Sequence, residues 1–194
     1  MTLLPLFLDL KDRRVLLVGA GSVARGKLDA LAPTGCALRV VALAIPASFR
    51  AAAEAMGADL REAPFRTEDL DGVTFVVAAT NDPATNLAIA REARARKILV
   101  NAVDDVAGCD AFFAATIRRG PLTLAIGSDG QFPGLTRALR RLLEAFLPEG
   151  DAPLFHRLAR ARARCRHLPA PEARKAALDP LLTAFERTYP GVSP

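Results

Sequence analysis

The stretch Arg14-Val15-Leu16-Leu17-Val18-Gly19-Ala20-Gly21-Ser22-Val23-Ala24 decides how the rest of the chain is read. An apolar, partly β-branched run leads into Gly-x-Gly-x-x-Ala, and a helix-compatible segment, Arg25 to Leu31, follows. A first glycine lets the chain turn sharply off a strand, and a second lets backbone approach a pyrophosphate with no Cβ in the way. A small third residue lets helix and strand pack closely. The helix N-terminus then turns free N–H groups and its positive dipole end towards phosphates. A second apolar run, Leu38 to Leu43, closes a βαβ unit. A tight strand–helix turn without a ligand uses the same residues, so the strand before and the helix after carry the dinucleotide reading, not the glycines alone.

Composition sets the outer bounds. With 194 residues, 51% hydrophobic and 24% charged, the chain has a globular balance and enough length for a real core. It has no tryptophan and a single tyrosine, so the stacking platforms of single-strand nucleic-acid binders are poorly supplied. The net charge of +5 comes more from arginine than from lysine, and arginine's planar fork suits carboxylates and phosphates. A coding bias towards arginine and alanine explains the surplus equally well. Cys36, Cys109 and Cys165 stand far apart and match no zinc or redox spacing, which fits a reducing compartment. His156 and His167 both lie in the C-terminal third, so no histidine-built metal site is expected. The apolar start, Leu3 to Leu8, is too short to span a membrane and lacks a basic region before it. The expectation is a soluble cytoplasmic protein without a membrane partner.

Taken in order, Leu3 to Leu10 reads as a short strand interrupted by Pro5, and β1 (Arg14–Val18) and a strand near Leu38–Leu43 follow. Gly26 inside the first helix is unfavourable by about 1 kcal/mol against alanine, so close helix–sheet packing is expected there. Ala47 to Met56 reads as a helix ended by Gly57, and Ala58 to Ala63 as a short strand. Val73 to Ala79 is an almost unbroken apolar run, as expected of a strand buried on both faces. Thr80-Asn81-Asp82-Pro83 starts a helix over Ala84 to Arg96, with Leu87, Ile89 and Ala90 on its buried side, and a strand over Ile98 to Val103 ends at Asp104-Asp105. This alternation is the grammar of a parallel α/β, Rossmann-type sheet. It then changes: Ala111 to Arg118 and Leu122 to Ile126, joined by Arg119-Gly120-Pro121, read as a hairpin. A turn-rich loop, residues 127–134, feeds a helix over Leu135 to Phe146, and the remainder reads as short helices broken at Pro169, Pro171 and Pro180. The expected organisation is a dinucleotide-binding domain over 1–110, a hairpin and helix region over 111–147, and a small helical domain over 148–194.

Ligands of such sheets sit at the carboxyl ends of the strands. The glycine loop offers Gly19, Gly21, Ser22 and Val23 to the phosphates, and Thr80 and Asn101 to Asp104 flank the expected nicotinamide position. An acid about 20 residues after the glycines normally bonds the ribose 2′-hydroxyl. Val41, Ala42, Leu43 and Ala44 occupy that region, so the choice between NAD and NADP stays open. Asp104 and Asp105 stand where a carboxylate beside a cofactor can act as acid or base, although a turn or capping aspartate fits the same place. Ser128, Gly130 and Pro133 form the mouth of a second helix N-terminus with Arg137, Arg140 and Arg141 one to two turns on. An anion cradle and a capped surface helix both satisfy that pattern.

Together these pieces resemble the precorrin-2 dehydrogenase/sirohydrochlorin ferrochelatase family, the first module of siroheme synthases and its stand-alone relatives. The matching residues are Leu4-Pro5-Leu6-Phe7, Val15 to Ala24 with Lys27, Ala78 to Asp82 with Asn86, and Asn101-Ala102-Val103-Asp104. Gly127 to Pro133, running into Leu135, Arg137, Leu139, Arg140, Leu142 and Glu144, completes the set. The resemblance implies NAD-dependent oxidation of precorrin-2 to sirohydrochlorin, followed in some members by insertion of ferrous iron as a second substrate. It implies that Ser22-Val23 and Leu43-Ala44 contact NAD with Thr80 nearby, that Asp104 is the working carboxylate, and that Ser128 lies by the tetrapyrrole. It also implies a homodimer formed through the segment after the sheet. Phe132 stands where the family carries a smaller residue, and Asp105 adds a second carboxylate that leaves the role open between the two. The rival readings are an NAD-sensing regulatory module without chemistry, and a nucleic-acid binder resting only on charge and the run at Arg157–Arg166.

Overall fold

The computed structural model describes residues 3–129, 132–168 and 170–188, and these divide into two compact units. The first comprises residues 3–113 with Asp129. Its centre is a five-stranded parallel sheet in the order β3-β2-β1-β4-β5. The strands are β1 (Arg14–Val18), β2 (Ala37–Ala42), β3 (Asp59–Glu62), β4 (Phe75–Ala78) and β5 (Leu99–Ala102). Helices α1 (Ser22–Leu31), α2 (Ala47–Glu54) and α3 (Pro83–Ala95) make three of the four crossovers, and the connection from β3 to β4 holds only a short 3-10 turn, Thr67–Leu70. Successive side chains of a strand point to opposite faces, and here both faces are covered. Val15 and Leu17 join Leu28, Phe49, Phe75 and Val77 in one core, while Leu16 and Val18 join Val76, Ile89, Ala93 and Val100 in the other. Strands buried on both sides therefore read as unbroken apolar runs, as expected.

Several expectations about this unit need correction. Leu3 to Leu10 forms no strand; Leu4, Leu6 and Phe7 are exposed and only Leu10 reaches the core. Pro5 lacks the N–H that a ladder needs, and apolar composition alone does not provide a partner strand. Gly26 is not a close-packing position: a Cβ built there meets nothing within 4 Å. On α3 the buried residues are Asn86, Ile89, Ala90 and Ala93, spaced three and four apart, and Leu87 falls off that stripe into solvent.

The second unit comprises residues 114–128 and 132–188. It opens with an antiparallel hairpin, β6 (Ala115–Arg119) and β7 (Leu122–Ile126), turning at Gly120 with φ +59°. The strand starts later than expected because residues 111–113 belong to the first unit: Ala111 N–H bonds the Val100 carbonyl at 3.1 Å, and the Phe113 ring packs on Phe75. Helix α4 (Pro133–Phe146) packs on the hairpin, and Arg119 ties the hairpin to the Leu147 carbonyl at the end of that helix. Helices α5 (Ala152–Cys165) and α6 (Pro171–Thr188) pack on each other through Phe155 and Phe185. Pro180 lies inside α6 rather than breaking it. One missing N–H is tolerated where the rest of the helix holds its neighbours, at the expense of a local kink or weakening. No helix among the described residues is long and apolar enough to cross a membrane.

Candidate active site

The turn from β1 into α1 is built as its sequence requires, but the two glycines are needed for different reasons. Gly19 has φ +111°, and a Cβ there would lie 2.2 Å from the Ala79 carbonyl oxygen. The strand end therefore depends on it. Gly21 is the extended N-cap of α1, and a Cβ on it would meet only the Asn81 Oδ1 at 3.8 Å. Nothing in the protein forbids a side chain at that position. The space it would fill opens on two cavities, which is the condition for a ligand's phosphates to approach the backbone. First-turn N–H groups of a helix have no intrahelical partner, so α1 supplies donors to match. The residues fit a bound nicotinamide dinucleotide.

One cavity, of about 220 Å³, is lined by Gly21, Val23, Thr80, Asn81, Asn86, Val103 and Asp104, with Ala79 and Pro83. The other, of about 270 Å³, is lined by Ala20, Gly21, Ser22, Arg25, Pro46, Ser48 and Phe49. Gly21 borders both, so the glycine loop stands between a compartment at the ends of β4 and β5 and a compartment on the β2 side. Leu43 and Ala44 are exposed in the connection that follows β2, and neither lines the second cavity.

The wall of the first cavity is held by Asn86. This residue is buried at the start of α3; its Oδ1 accepts from the Thr80 N–H at 3.0 Å and the Thr80 hydroxyl at 2.7 Å, and its Nδ2 donates to the Thr80 carbonyl at 3.1 Å. Asp82 caps the same helix, accepting from the Ala84 and Thr85 N–H groups, each at 3.1 Å. These bonds, the Thr85 hydroxyl foremost, hold the Asp82 carboxyl below its ordinary value. The set fixes the end of β4 against α3. In the sequence Asn86 stood only among the residues that carry the family resemblance, with no role of its own, although an asparagine four residues after a capping aspartate falls on the face of α3 that looks back at β4.

Asp104 and Asp105 part company in the structure. Asp104 is exposed, lines the cavity, and makes no hydrogen bond or ion pair among the described residues. Its φ of +61° is in the left-handed region, at the third position of a turn closed by the Asp105 N–H on the Ala102 carbonyl. Aspartate tolerates that region better than most residues, but a non-glycine there is uncommon and stores strain. Asp105 instead turns its carboxylate back on its own loop, accepting from the Gly108 N–H at 2.8 Å.

Asn101 sits away from both cavities. It is 5% exposed, and its Nδ2 donates to the Ala111 carbonyl at 2.9 Å, while its Oδ1 is buried without a partner among the described residues. Cys109 lies beside it, donating to the Ala102 carbonyl at 3.1 Å and accepting from the Ala102 N–H at 3.2 Å. Burial pushes its thiol above the ordinary value, so it stays protonated. Lys27 reaches 4.0 Å over the Phe113 ring, and burial lowers its ammonium below the usual lysine value. With Arg94 on Asp110 and the Ala107 carbonyl, these contacts pin the loop that carries Asp104.

Ser128 and Arg137 belong to the second unit. The Ser128 hydroxyl oxygen accepts the Phe132 N–H at 3.2 Å ahead of α4, and Arg137 is exposed on that helix. Gly130 lies outside the described residues. No group of three or more His, Cys, Asp or Glu residues placed to hold a metal ion occurs among the described residues.

Comparison with known proteins agrees with this geometry. Residues 6–115 match a family model described as "Putative NAD(P)-binding". The chain is 39% identical over 168 residues to a siroheme synthase of Pseudomonas entomophila, covering 87% of this chain and 36% of that protein. It is 43% identical over 148 residues to siroheme synthase 1 of Pectobacterium atrosepticum, covering 76% of this chain and 31% of that one. The chain thus spans about a third of the length of these curated relatives. Among solved structures it resembles SirC, a precorrin-2 dehydrogenase, with a TM-score of 0.75 and 30% identity, over 96% of this chain and 92% of that one.

Proposed function

The chain belongs to the NAD(P)-binding precorrin-2 dehydrogenase family, and from that premise we propose that it oxidises precorrin-2 to sirohydrochlorin with NAD. The observation that carries the reading is the shared cavity: the Asp104 carboxylate lines the same space as Gly21 and Val23 of the glycine loop. A dehydrogenation removes a hydride and a proton. NAD, when bound, supplies the hydride acceptor. Asp104 takes the proton, because it lines the cavity and no neighbour among the described residues holds its carboxylate; Asp105 is occupied in its loop. Gly19, Gly21, Ser22 and Val23 seat the phosphates, Leu43 and Ala44 border the adenosine side, and Thr80, kept in place by Asn86, borders the nicotinamide side. Asn101 acts by shaping the Asp104 loop from within.

Ser128, Gly130 and Arg137 are assigned to the carboxylates of the tetrapyrrole, for which an arginine fork is suited. The segment over 111–147 is assigned to homodimerisation, with 148–194 as an accessory helical domain. Leu135, Leu139, Leu142 and Phe146 support the dimer: they form an exposed apolar row along α4, spaced four, three and four residues apart. We place the protein in the cytoplasm, where its substrate chemistry and unpaired cysteines are at home. A purely NAD-sensing role is disfavoured by 30% identity over nearly the whole of a precorrin-2 dehydrogenase.

Mixing the protein with enzymatically prepared precorrin-2 and NAD tests the proposal, with NADH appearance and the sirohydrochlorin spectrum as readouts. Turnover is expected; intact NAD binding with no turnover would sink the enzyme reading. Ferrous ion added afterwards, as substrate, reads out chelation in the same cuvette.

A further inference from the structure

The cavity on the β2 side of the glycine loop bears on which dinucleotide the chain accepts. In a sheet of this kind the carboxyl end of β2 receives the adenosine ribose, and an acid there bonds the 2′-hydroxyl and repels a 2′-phosphate. Here β2 ends at Ala42 and runs into Leu43 and Ala44, both exposed and apolar, so no carboxylate occupies that place. Glu62, which pairs in register with Ala42 at the end of β3, is already committed. It accepts the Ile45 N–H at 3.2 Å and pairs with Arg50 at 2.8 Å, and it does not line the cavity.

A cation does line it. Arg25, on the first turn of α1, donates from Nε to Asp29 at 3.0 Å and from Nη1 to the Ser48 carbonyl at 3.2 Å. The guanidinium thus bridges α1 to the start of α2, and Ser22 and Ser48 line the same space. Its Nη2 group makes no bond among the described residues, and a guanidinium carries five donors in a fork that matches phosphate. The pair with Asp29 is solvent-exposed, at 43% and 60% for the two side chains, and so offers little competition.

We propose that this cavity is a 2′-phosphate subsite, with Arg25 as its specificity-determining residue, and that the chain binds NADP as well as NAD. The inference rests on the reading that a nicotinamide dinucleotide is seated at α1. A 2′-phosphate here meets the Nη2 of Arg25 and two lining serines, and Asp29, the acid paired with Arg25 Nε, does not line the cavity.

Calorimetric titration of the intact protein with NAD+ and, separately, NADP+ tests it without any turnover. The expected result is an NADP+ Kd no more than tenfold weaker than that for NAD+. Arg25→Ala should weaken NADP+ by roughly tenfold or more while leaving NAD+ within about twofold, which also certifies the fold. Arg25→Lys should fall between, because the charge remains and the fork is lost. An NADP+ Kd more than tenfold weaker than that for NAD+ overturns the subsite and leaves the dehydrogenase reading standing. Equal losses for both dinucleotides in Arg25→Ala overturn Arg25 as the determinant. If neither dinucleotide binds, the cofactor reading falls and the subsite with it.

Discussion

A Cβ on Gly19 would sit 2.2 Å from the Ala79 carbonyl oxygen, whereas one on Gly21 would meet nothing nearer than the Asn81 side chain at 3.8 Å. The two substitutions should therefore fail in different ways. Gly19→Ala collides with backbone at a φ that alanine avoids, and should destabilise the fold by about 3 kcal/mol or more in urea unfolding. Gly21→Ala should melt within about 2 °C of the parent while losing roughly tenfold or more in NAD affinity, since only a ligand needs that space. Both glycines were legible as a motif, but the division between them was not, because it depends on where β4 ends beside β1. Asn101 shows the same limit. In a strand buried on both faces, period-two reading does not say which residue looks into the cleft, and Asn101 spends its amide on the Ala111 carbonyl instead. The different settings of Asp104 and Asp105 were likewise invisible in the sequence: the turn leaves one exposed on the cavity and folds the other onto Gly108.

At the scale of the elements, strand and helix existence followed from apolar runs and from the glycine and proline signals between them. The departures have local causes. Gly26 was expected to pack closely, yet it sits over empty space on an exposed face of α1. Gly26→Ala should therefore stabilise the protein by about 0.5–1 kcal/mol, measured by denaturant midpoint at unchanged m-value, through the lower entropy of the unfolded chain. Helix α3 carries a pH-sensitive cap. The Asp82 carboxyl is lowered below its ordinary 3.8, so the charged form is the one that folding favours. Its contribution is complete above 3.8 and is lost as pH falls through the lower folded value. Unfolding followed between about pH 5 and pH 2.5 should show a shallower acid loss in Asp82→Asn than in the parent. An identical slope would mean that the cap does not couple to folding. Asn86 sits one turn beyond that cap, which is why the anchoring of Thr80 was not visible from α3's apolar pattern alone.

For the whole molecule, the change from parallel alternation to a hairpin and helices was legible near residue 111, and the structure groups the hairpin with all three later helices in one unit. The exposed row on α4 makes oligomeric state a sensitive readout. Leu139→Glu with Leu142→Glu should convert the proposed dimer to a monomer in sedimentation velocity, whereas a parent that already sediments as a monomer would remove the dimer. In the proposed reaction a carboxylate just past the end of β5 does proton chemistry beside a dinucleotide held by the β1–α1 turn. Asp104→Asn isolates that step, because asparagine keeps the size and tolerates the φ of +61° while removing only the base. With precorrin-2 and NAD, the variant is predicted to lose roughly 100-fold or more in kcat with NAD affinity and melting temperature unchanged. A rate within about threefold of the parent would rule out Asp104 as the base, since a general base contributes far more than that.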